Sequence, residues 1–295
     1  MPVVVFGSVN LDLVFALPAL PVPGETVLAP SYLPLPGGKG ANQALAAALD
    51  GAAVSFVGAV GQDGFAELAL AGLRAARVDL SHLARVADAP TACAAVQVDP
   101  AGRNQIAVGS GANRFARAAQ VEDAALSPAT TLLLQMEVPA AENAALIRRA
   151  RAAGARLLLN LAPAAPLARE ALTALDLLIV NQPEAAWLAA QLGCAAGAAA
   201  LRGAFGTDVA VTLGEAGAEA ATAAGLLRQP AFRVAAVDTT GAGDAWCGVL
   251  AAALDRGLPL DAAMRRASAA AALSCTRPGA AMPRAAETEA LLRRG

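Results

Sequence analysis

The sequence predicts an α/β fold: a Rossmann-like, predominantly parallel sheet with helices on both faces, plus a small antiparallel β lid. Short apolar runs alternate with longer helical patterns along most of the 295 residues. Most of these runs are continuously apolar, which is typical of strands buried on both faces. Two segments with period-2 hydrophobicity break the alternation. A chain of this length with 57% hydrophobic residues can form one large domain or two, and we interpret residues 1–295 as a single domain.

The predicted strands and helices follow each other in the order that βαβ units require. The expected strands are Val3–Phe6, Val54–Val57, Thr131–Gln135, Leu157–Asn160, Leu177–Val180 and Val209–Thr212. The expected helices are Ala41–Leu49, Ala66–Ala75, Ala140–Ala152 and Pro183–Leu192. From about Gly243 onward we expect the chain to be mostly helical.

The lid is predicted from the two segments that do not fit this alternation. Residues 11–36 are rich in proline and show period-2 hydrophobicity, and residues 91–108 are typical of a β-hairpin. The turn of that hairpin is expected at Asp99–Gly102, where Asp, Pro and Gly occur together. A small sheet built from both segments would cover one edge of the main domain.

Composition excludes several classes of function. A net charge of -2 and a pI near 5.5 do not suit nucleic-acid binding. No apolar run reaches the roughly 18 residues that a membrane span needs, so we expect no membrane partner, and the scattered cysteines favour a cytoplasmic protein. His82 is the only histidine, which argues against Ser-His-Asp, Cys-His and His-rich metal sites. The four cysteines lie far apart, so we expect reduced thiols rather than disulfides.

The first glycine-rich corner spans Gly37–Gln43 and contains Lys39, the only lysine among 22 basic residues. Its glycines let the backbone approach a ligand closely, and a helix is expected to start near Ala41. Lys39 and Asn42 supply a cation and an amide that can bind hydroxyl groups. A tight turn into a helix, without ligand binding, remains an alternative interpretation.

The second glycine-rich corner spans Val237–Trp246, between an expected strand at Phe232–Val237 and an alanine-rich helix. Gly241 and Gly243 free backbone amides at a helix N-terminus, which favours binding of an anion. Asp244 follows them, and it can accept a proton from an attacking hydroxyl while the amides stabilise a phosphoryl group. A simple capping role for Asp244 is the alternative.

With both corners, the sequence resembles the ribokinase branch of the PfkB-type carbohydrate kinases over almost its whole length. Order and spacing agree as well as identity. The motifs that carry the resemblance include GSVNLD at 7–12, PGET at 23–26, GGKGANQA at 37–44, GAN at 111–113, QME at 135–137, NLAP at 160–163, NQPE at 181–184, TLG at 212–214 and DTTGAGD at 238–244.

The resemblance implies a role for each matching residue. Asp244 is expected to be the general base, beside an anion hole formed by Gly241, Ala242 and Gly243. The sugar contacts implied are Asn10, Asp12, Gly38, Lys39, Asn42, Glu137 and Asp244. The nucleotide contacts implied are Asn181, Thr212, Gly214, Gly243 and Ser268. Glu184 is implied to organise Mg²⁺ through water. The K⁺ ligands implied are Asp238, Thr240, Ser274, Arg277 and Gly279.

Simpler interpretations exist for some of these residues. Asn10 and Asp12 could form a turn at a strand end, and Asn181 could cap the helix that begins at Pro183. The sequence also departs from the family pattern at Ser268, at Pro283 and in residues 62–67, which bears on nucleotide and cation binding more than on the reaction.

The resemblance therefore implies an ATP-dependent kinase that phosphorylates a primary hydroxyl, with ribose as the leading acceptor and Mg²⁺ and K⁺ as cofactors. Alternative acceptors are fructose, a keto-sugar acid or a nucleoside. A catalytically silent sugar-binding protein on this fold is less favoured because Asp244 and its glycines are present. A dinucleotide oxidoreductase is disfavoured because no G-x-G-x-x-G follows the first strand. Relatives dimerise through the lid, so we expect a homodimer.

Overall fold

A computed structural model describes residues 2–294. The strands in that range are β1 (Pro2–Phe6), β2 (Asn10–Ala16), β3 (Tyr32–Gly37), β4 (Ala53–Val57), β5 (Ala59–Gly61), β6 (Ala84–Val86), β7 (Ala92–Val98), β8 (Asn104–Gly109), β9 (Thr131–Leu134), β10 (Arg156–Asn160), β11 (Leu177–Asn181), β12 (Asp208–Thr212), β13 (Ala218–Thr222) and β14 (Gly225–Gln229). The α-helices are α1 (Lys39–Leu49), α2 (Gly64–Ala75), α3 (Ala140–Ala152), α4 (Arg169–Thr173), α5 (Gln182–Leu192), α6 (Ala198–Phe205), α7 (Ala242–Asp255), α8 (Leu260–Ser274) and α9 (Ala285–Leu292).

The main sheet has eight strands in the order β14-β13-β12-β11-β10-β9-β1-β4. The six strands from β12 to β4 are parallel, and they include all six strands predicted above. The hairpin β13–β14 adds two antiparallel strands at one edge and was not predicted. Its alanine-rich sequence resembles helix composition more than strand composition.

Helices cover both faces of this sheet because successive strand residues point to opposite sides. Val3, Val5 and Leu133 face a core that includes residues of α1, α7 and α8. Their neighbours Val4 and Phe6 face a second core that includes residues of α3, α5 and α6. The predicted α/β class, with a sheet buried on both sides, is confirmed.

The predicted helices are present, and the region after Gly243 is helical as expected. The strand expected at Phe232–Val237 is wrong: this segment pairs with no strand of the described chain. Its end instead packs against the loop after α8, where the N–H groups of Val237 and Asp238 both donate to the carbonyl of Cys275. Strand-forming residues therefore did not suffice here, because no strand within residues 2–294 pairs with them.

The second sheet has four strands in the order β3-β2-β7-β8, and it is built from the two segments assigned to the lid. Its hairpin turns where predicted: the Asp99 carboxylate accepts hydrogen bonds from the N–H groups of Ala101 and Arg103. One detail of the prediction is wrong, because the central pair β2–β7 is parallel rather than antiparallel. Both strands begin beside buried residues, Val9 and Thr91, and run outward in the same direction.

None of the helices formed by residues 2–294 is long and apolar enough to span a bilayer.

Candidate active site

The two glycine-rich corners meet at the carboxyl edge of the main sheet. Lys39 is the first residue of α1, and Asp244 lies in the first turn of α7. The Asn42 side chain donates to Asp244 Oδ2 at 2.9 Å, across 202 positions of sequence. Lys39 and Asp244 line the same cavity, so these two loops, far apart in sequence, lie together in the folded chain.

The first corner is glycine-rich because α1 begins against the backbone that follows β1. Gly38 has a φ of 91°, which favours glycine. A Cβ on Gly40 would lie 2.5 Å from the Ser8 nitrogen, so no side chain fits there. The N–H of Ala41 donates to the Ser8 carbonyl at 2.8 Å, which fixes the start of α1.

The second corner is glycine-rich for two reasons. Gly241 has a φ of 77°, and a Cβ there would lie 2.7 Å from the Cβ of Ala280. A Cβ added at Gly243, in contrast, would have no atom of the described residues within 4 Å. The N–H groups of Gly243 and Asp244 belong to the first turn of α7, where no preceding helical carbonyl can pair with them. This turn can therefore bind an anion from the cavity.

Two neighbouring cavities open at this edge. One, of about 200 Å³, is lined by Lys39, Asn181, Glu184, Thr212, Gly243 and Asp244, among others. The other, of about 400 Å³, is lined by Asn10, Ser110, Asn113, Arg114, Met136 and Glu137, among others. The first cavity combines the predicted base, anion hole and nucleotide contacts, whereas the second contains predicted sugar contacts.

The sugar-side residues are held by hydrogen bonds among themselves. Glu137 Oε2 accepts from Ser8 Oγ at 2.5 Å and from the Lys39 N–H at 2.9 Å. Asn113 Nδ2 donates to Asn10 Oδ1 at 2.8 Å. The turn interpretation of Asn10 is replaced by this buried contact at the start of β2.

Asp12 projects from β2 into the same region and is incompletely paired. Its Oδ1 is buried without a hydrogen-bond partner. Burial, together with the charges of Glu137 and Asp244, raises the pKa of Asp12 to about 6. A buried acceptor without a donor is suited to receive a ligand hydroxyl.

The charges around the base oppose one another. Burial raises the pKa of Asp244, while Lys39 and the amides of Gln43 and Asn42 act to lower it. Burial lowers the pKa of Lys39, but the carboxylates of Asp244, Glu137 and Glu184 outweigh it, so the net pKa is raised. Lys39 is therefore a cation at neutral pH, placed among acids that alone would repel a phosphate.

The nucleotide side is built around the start of α5. Asn181 Oδ1 accepts from the Glu184 N–H, and Glu184 Oε2 accepts from the Asn181 N–H, both at 2.8 Å. The capping interpretation of Asn181 is therefore confirmed, and both residues also line the smaller cavity. Burial raises the pKa of Glu184.

Two predicted nucleotide residues lie apart from that cavity lining. Gly214 follows β12 in a turn with a φ of 60°. Ser268 is buried in α8, where its Oγ accepts from Trp246 Nε1 at 3.2 Å. Its expected nucleotide contact stays a prediction.

The loops assigned to a monovalent cation do come together. Asp238 Oδ1 accepts from the Thr240 N–H, and Oδ2 accepts from the Gly279 N–H, both at 2.8 Å. Although burial raises the pKa of Asp238, these hydrogen bonds lower it overall. An ionised carboxylate beside backbone carbonyls is a hard-oxygen environment that suits an ion such as K⁺.

Comparison with known proteins agrees with this geometry. Residues 2–287 match the family described as pfkB family carbohydrate kinase. The chain belongs to the pfkB family of carbohydrate kinases. It is 35% identical to the ribokinase of Bacillus subtilis over 292 residues, which cover 98% of each chain. The predicted family and enzyme class are confirmed.

Solved structures of this family share the fold. The chain resembles the ribokinase of Thermotoga maritima with a TM-score of 0.90 and 32% identity over 99% of both chains. It also resembles the Arabidopsis thaliana ribokinase complexed with ribose and ATP, with a TM-score of 0.87 and 29% identity over 99% of this chain and 98% of that one.

Sequence reasoning assigned no role to several residues at this site. Gln43, Gln135 and Asn160 form a buried amide network beside Asp244, and Ser8 binds Glu137. Three of the four immediately follow or end a strand, or lie in the turn after one, at the same sheet edge. Polar residues at the carboxyl ends of parallel strands were the signal that could have found them.

Proposed function

We propose that this kinase transfers the γ-phosphoryl group of ATP to the 5-hydroxyl of D-ribose, with Asp244 as general base. The observation that carries the proposal is the meeting of the two corners: Lys39 and Asp244 line the same cavity, and Asn42 donates a hydrogen bond to Asp244. A base, a cation and the free amides of a helix N-terminus are there placed around one point.

The reaction needs no covalent enzyme intermediate. The acceptor hydroxyl gives its proton to the Asp244 carboxylate, and its oxygen forms a bond to the γ-phosphorus. The bond from that phosphorus to the bridging oxygen breaks, and ADP leaves with the electron pair. The amides of the first turn of α7 and the ammonium of Lys39 stabilise the charge on the transferred group.

The sugar side supports a small polyol as the acceptor. Asn10, Asp12 and Glu137 offer oxygen acceptors, and Asn42 and Lys39 offer donors. Asp12 Oδ1 in particular receives no hydrogen bond from any donor within residues 2–294. A hydroxyl that satisfies it would be recognised strongly, because leaving a buried acceptor unpaired is costly.

Two cations fit the residues present. Glu184, in the smaller cavity, can hold Mg²⁺ through water, and Mg²⁺ would neutralise phosphate charge. Asp238 and the carbonyls of Thr240, Ser274, Arg277 and Gly279 can hold K⁺ beside the anion-binding turn. A K⁺ ion there would add positive charge next to that turn.

The small sheet supports closure over the sugar and pairing with a second copy. Tyr32 and Leu33 on one edge strand and Ile106 and Val108 on the other are each more than half exposed. Exposed apolar residues on open sheet edges favour association. We expect a homodimer, which light scattering coupled to gel filtration would detect as twice the chain mass.

The test is ADP release across a panel of ribose, 2-deoxyribose, fructose, a keto-sugar acid and adenosine, each with K⁺ or Na⁺. We expect ribose to give the highest kcat/KM and K⁺ to raise turnover. Phosphorus NMR of the product should show a 5-phosphate. A higher kcat/KM for another acceptor would overturn the assignment to ribose while leaving the phosphoryl transfer intact.

A further inference from the structure

Gln43 is a fully buried glutamine that contacts the proposed base. It is the neighbour of Asn42 in α1, but none of its surface is exposed. Its Nε2 donates to Asp244 Oδ1 at 3.0 Å and to Asn160 Oδ1 at 3.0 Å. A buried amide in this position must be satisfied on both its nitrogen and its oxygen.

The orientation of this amide is fixed by a second glutamine. Gln135, which follows β9, donates from Nε2 to Gln43 Oε1 at 2.7 Å. With its oxygen so engaged, Gln43 presents only N–H groups to Asp244 and Asn160. Asn160, at the end of β10, donates onward to the carbonyl of Ile179 in β11. The network thus ties the base to three strands of the main sheet.

The two carboxylate oxygens of Asp244 are held differently. Oδ1 is bonded to Gln43, which ligands cannot reach. Oδ2 is bonded to Asn42, which is partly exposed and can exchange its hydrogen bond with a bound hydroxyl. The asymmetry distinguishes one fixed oxygen from one available oxygen.

We propose that Gln43 is a positioning residue that holds Asp244 through Oδ1, so that Oδ2 takes the proton from the acceptor hydroxyl. This inference rests on the proposed function, because it assigns the proton to one atom of the proposed base. Gln135 acts one step further away, by keeping the Gln43 amide turned toward the carboxylate.

The charged groups around Asp244 make its pKa sensitive to the hydrogen bond from Gln43. Asp244 faces Lys39 from α1, Glu137 from the segment after β9, Glu184 from α5, Asp12 from β2 and Cys247 from its own helix. Burial already raises the pKa of Asp244, and the Gln43 amide is one of the groups that lower it. Removing that donor therefore favours the protonated form, which cannot act as a base.

The test is the pH profile of kcat for Gln43→Glu, which keeps the shape but sets a second carboxyl against Oδ1. We expect kcat at pH 7 to fall by about 10- to 100-fold, and the acid limb of the profile to move up by about 1 pH unit or more. KM for the sugar should stay within about threefold, because Gln43 does not reach the cavity.

Gln191→Glu is the matched control, because Gln191 is an exposed residue of α5 and its change adds the same charge far from Asp244. Its profile should match the wild type. The proposal is overturned if Gln43→Glu is folded and keeps its acid limb within about 0.3 pH unit of the wild type, or if the sugar KM changes more than kcat does.

If Gln43→Glu does not fold, Gln135→Met tests the positioning role of Gln43 instead. This change keeps a linear side chain but removes the donor that orients Gln43. We expect kcat to fall by about 3- to 10-fold with an acid limb shifted in the same direction. An unshifted limb overturns the proposal. Failure of the proposed function is distinguishable, because the wild type itself would then phosphorylate none of the sugars in the panel.

Discussion

The two glycine-rich corners look alike in sequence, but Gly40 in the first and Gly243 in the second are glycine for opposite reasons. At the first, a Cβ on Gly40 would collide with the backbone of Gly7 and Ser8 at 2.5 to 2.7 Å. At the second, a Cβ on Gly243 would meet no protein atom within 4 Å, because the residue faces a cavity. Gly40 lacks a side chain so that the backbone can pack, whereas Gly243 leaves room for a ligand in the cavity. Replacement of glycine by alanine should therefore reduce stability at Gly40 and ligand binding at Gly243.

The largest effect is expected at the second corner from Asp244→Asn. An amide cannot take the proton of the acceptor hydroxyl, so kcat should fall by about 10²- to 10⁴-fold. Sugar affinity, measured by calorimetry, should change little, because the amide keeps the size of the carboxylate.

Asp261→Asn is the control for this change, since Asp261 also lies in the first turn of a helix but is exposed and far from the cavities. It should leave turnover unaltered. A near wild-type rate for Asp244→Asn would show that the chemistry does not reside at this corner.

At the first corner, Gly40→Ala should lower the free energy of unfolding by about 3 kcal/mol, because the added methyl group overlaps backbone that cannot move aside. Denaturant titration measures this change. Gly203→Ala, in the open part of α6, should instead raise stability by about 0.5–1 kcal/mol. Equal stabilities for the two variants would remove the packing explanation.

Gly243→Ala should show the reverse behaviour. Within α7 the methyl group is accommodated, and stability should stay the same or rise slightly. Because the methyl group projects into the smaller cavity, the KM for ATP should rise by about tenfold, with a smaller change for the sugar. Loss of stability without a change in the KM for ATP would contradict the comparison.

The smallest expected effect is a change in stability at Asp12. Its carboxylate is proposed to bind the sugar, but its ionised form destabilises the folded protein. Its native pKa of about 6 lies above the ordinary value of 3.8, so the ionised form is disfavoured by folding at pH 7. Asp12→Asn should therefore be more stable than the wild type at pH 7, and this advantage should shrink as the pH falls through 6 toward 4.

Thermal unfolding of both proteins at pH 7 and pH 5 measures the difference, and the variant should bind the sugar more weakly at both. A stability advantage that is the same at pH 7 and pH 5 would show that Asp12 does not carry the shifted titration.

The main sheet could be predicted from the sequence because runs such as Val3–Phe6 are apolar throughout and buried on both faces. The hairpin β13–β14 could not, because Ala218–Thr222 has too few β-branched or aromatic residues to indicate a strand. The segment Phe232–Val237 had the right residues, but no strand lies beside it. Strand propensity is local, whereas strand formation depends on a partner.

The site could be predicted in part for a similar reason. Lys39 and Asp244 stood out because one is a unique cation and the other follows a glycine-rich turn. Gln43 lies in the GGKGANQA motif, but the motif alone assigns it no role, since a glutamine inside an alanine-rich helix can equally face solvent. Its importance arises only where Asp244, Gln135 and Asn160 surround it, which requires contacts across about 90 to 200 positions of sequence.

The register of the small sheet pairs Asn10 with Gly37 and Asp12 with Leu35. Two of the residues expected to recognise the sugar, Asn10 and Asp12, thus belong to strand β2 of the small sheet, whereas Asp244 and its anion-binding turn belong to α7. Under the proposed function, part of acceptor recognition lies on a different stretch of chain from the groups that transfer the phosphoryl group. Replacement of strands β2 and β3 by those of another kinase should therefore change the sugar selectivity while phosphoryl transfer is retained.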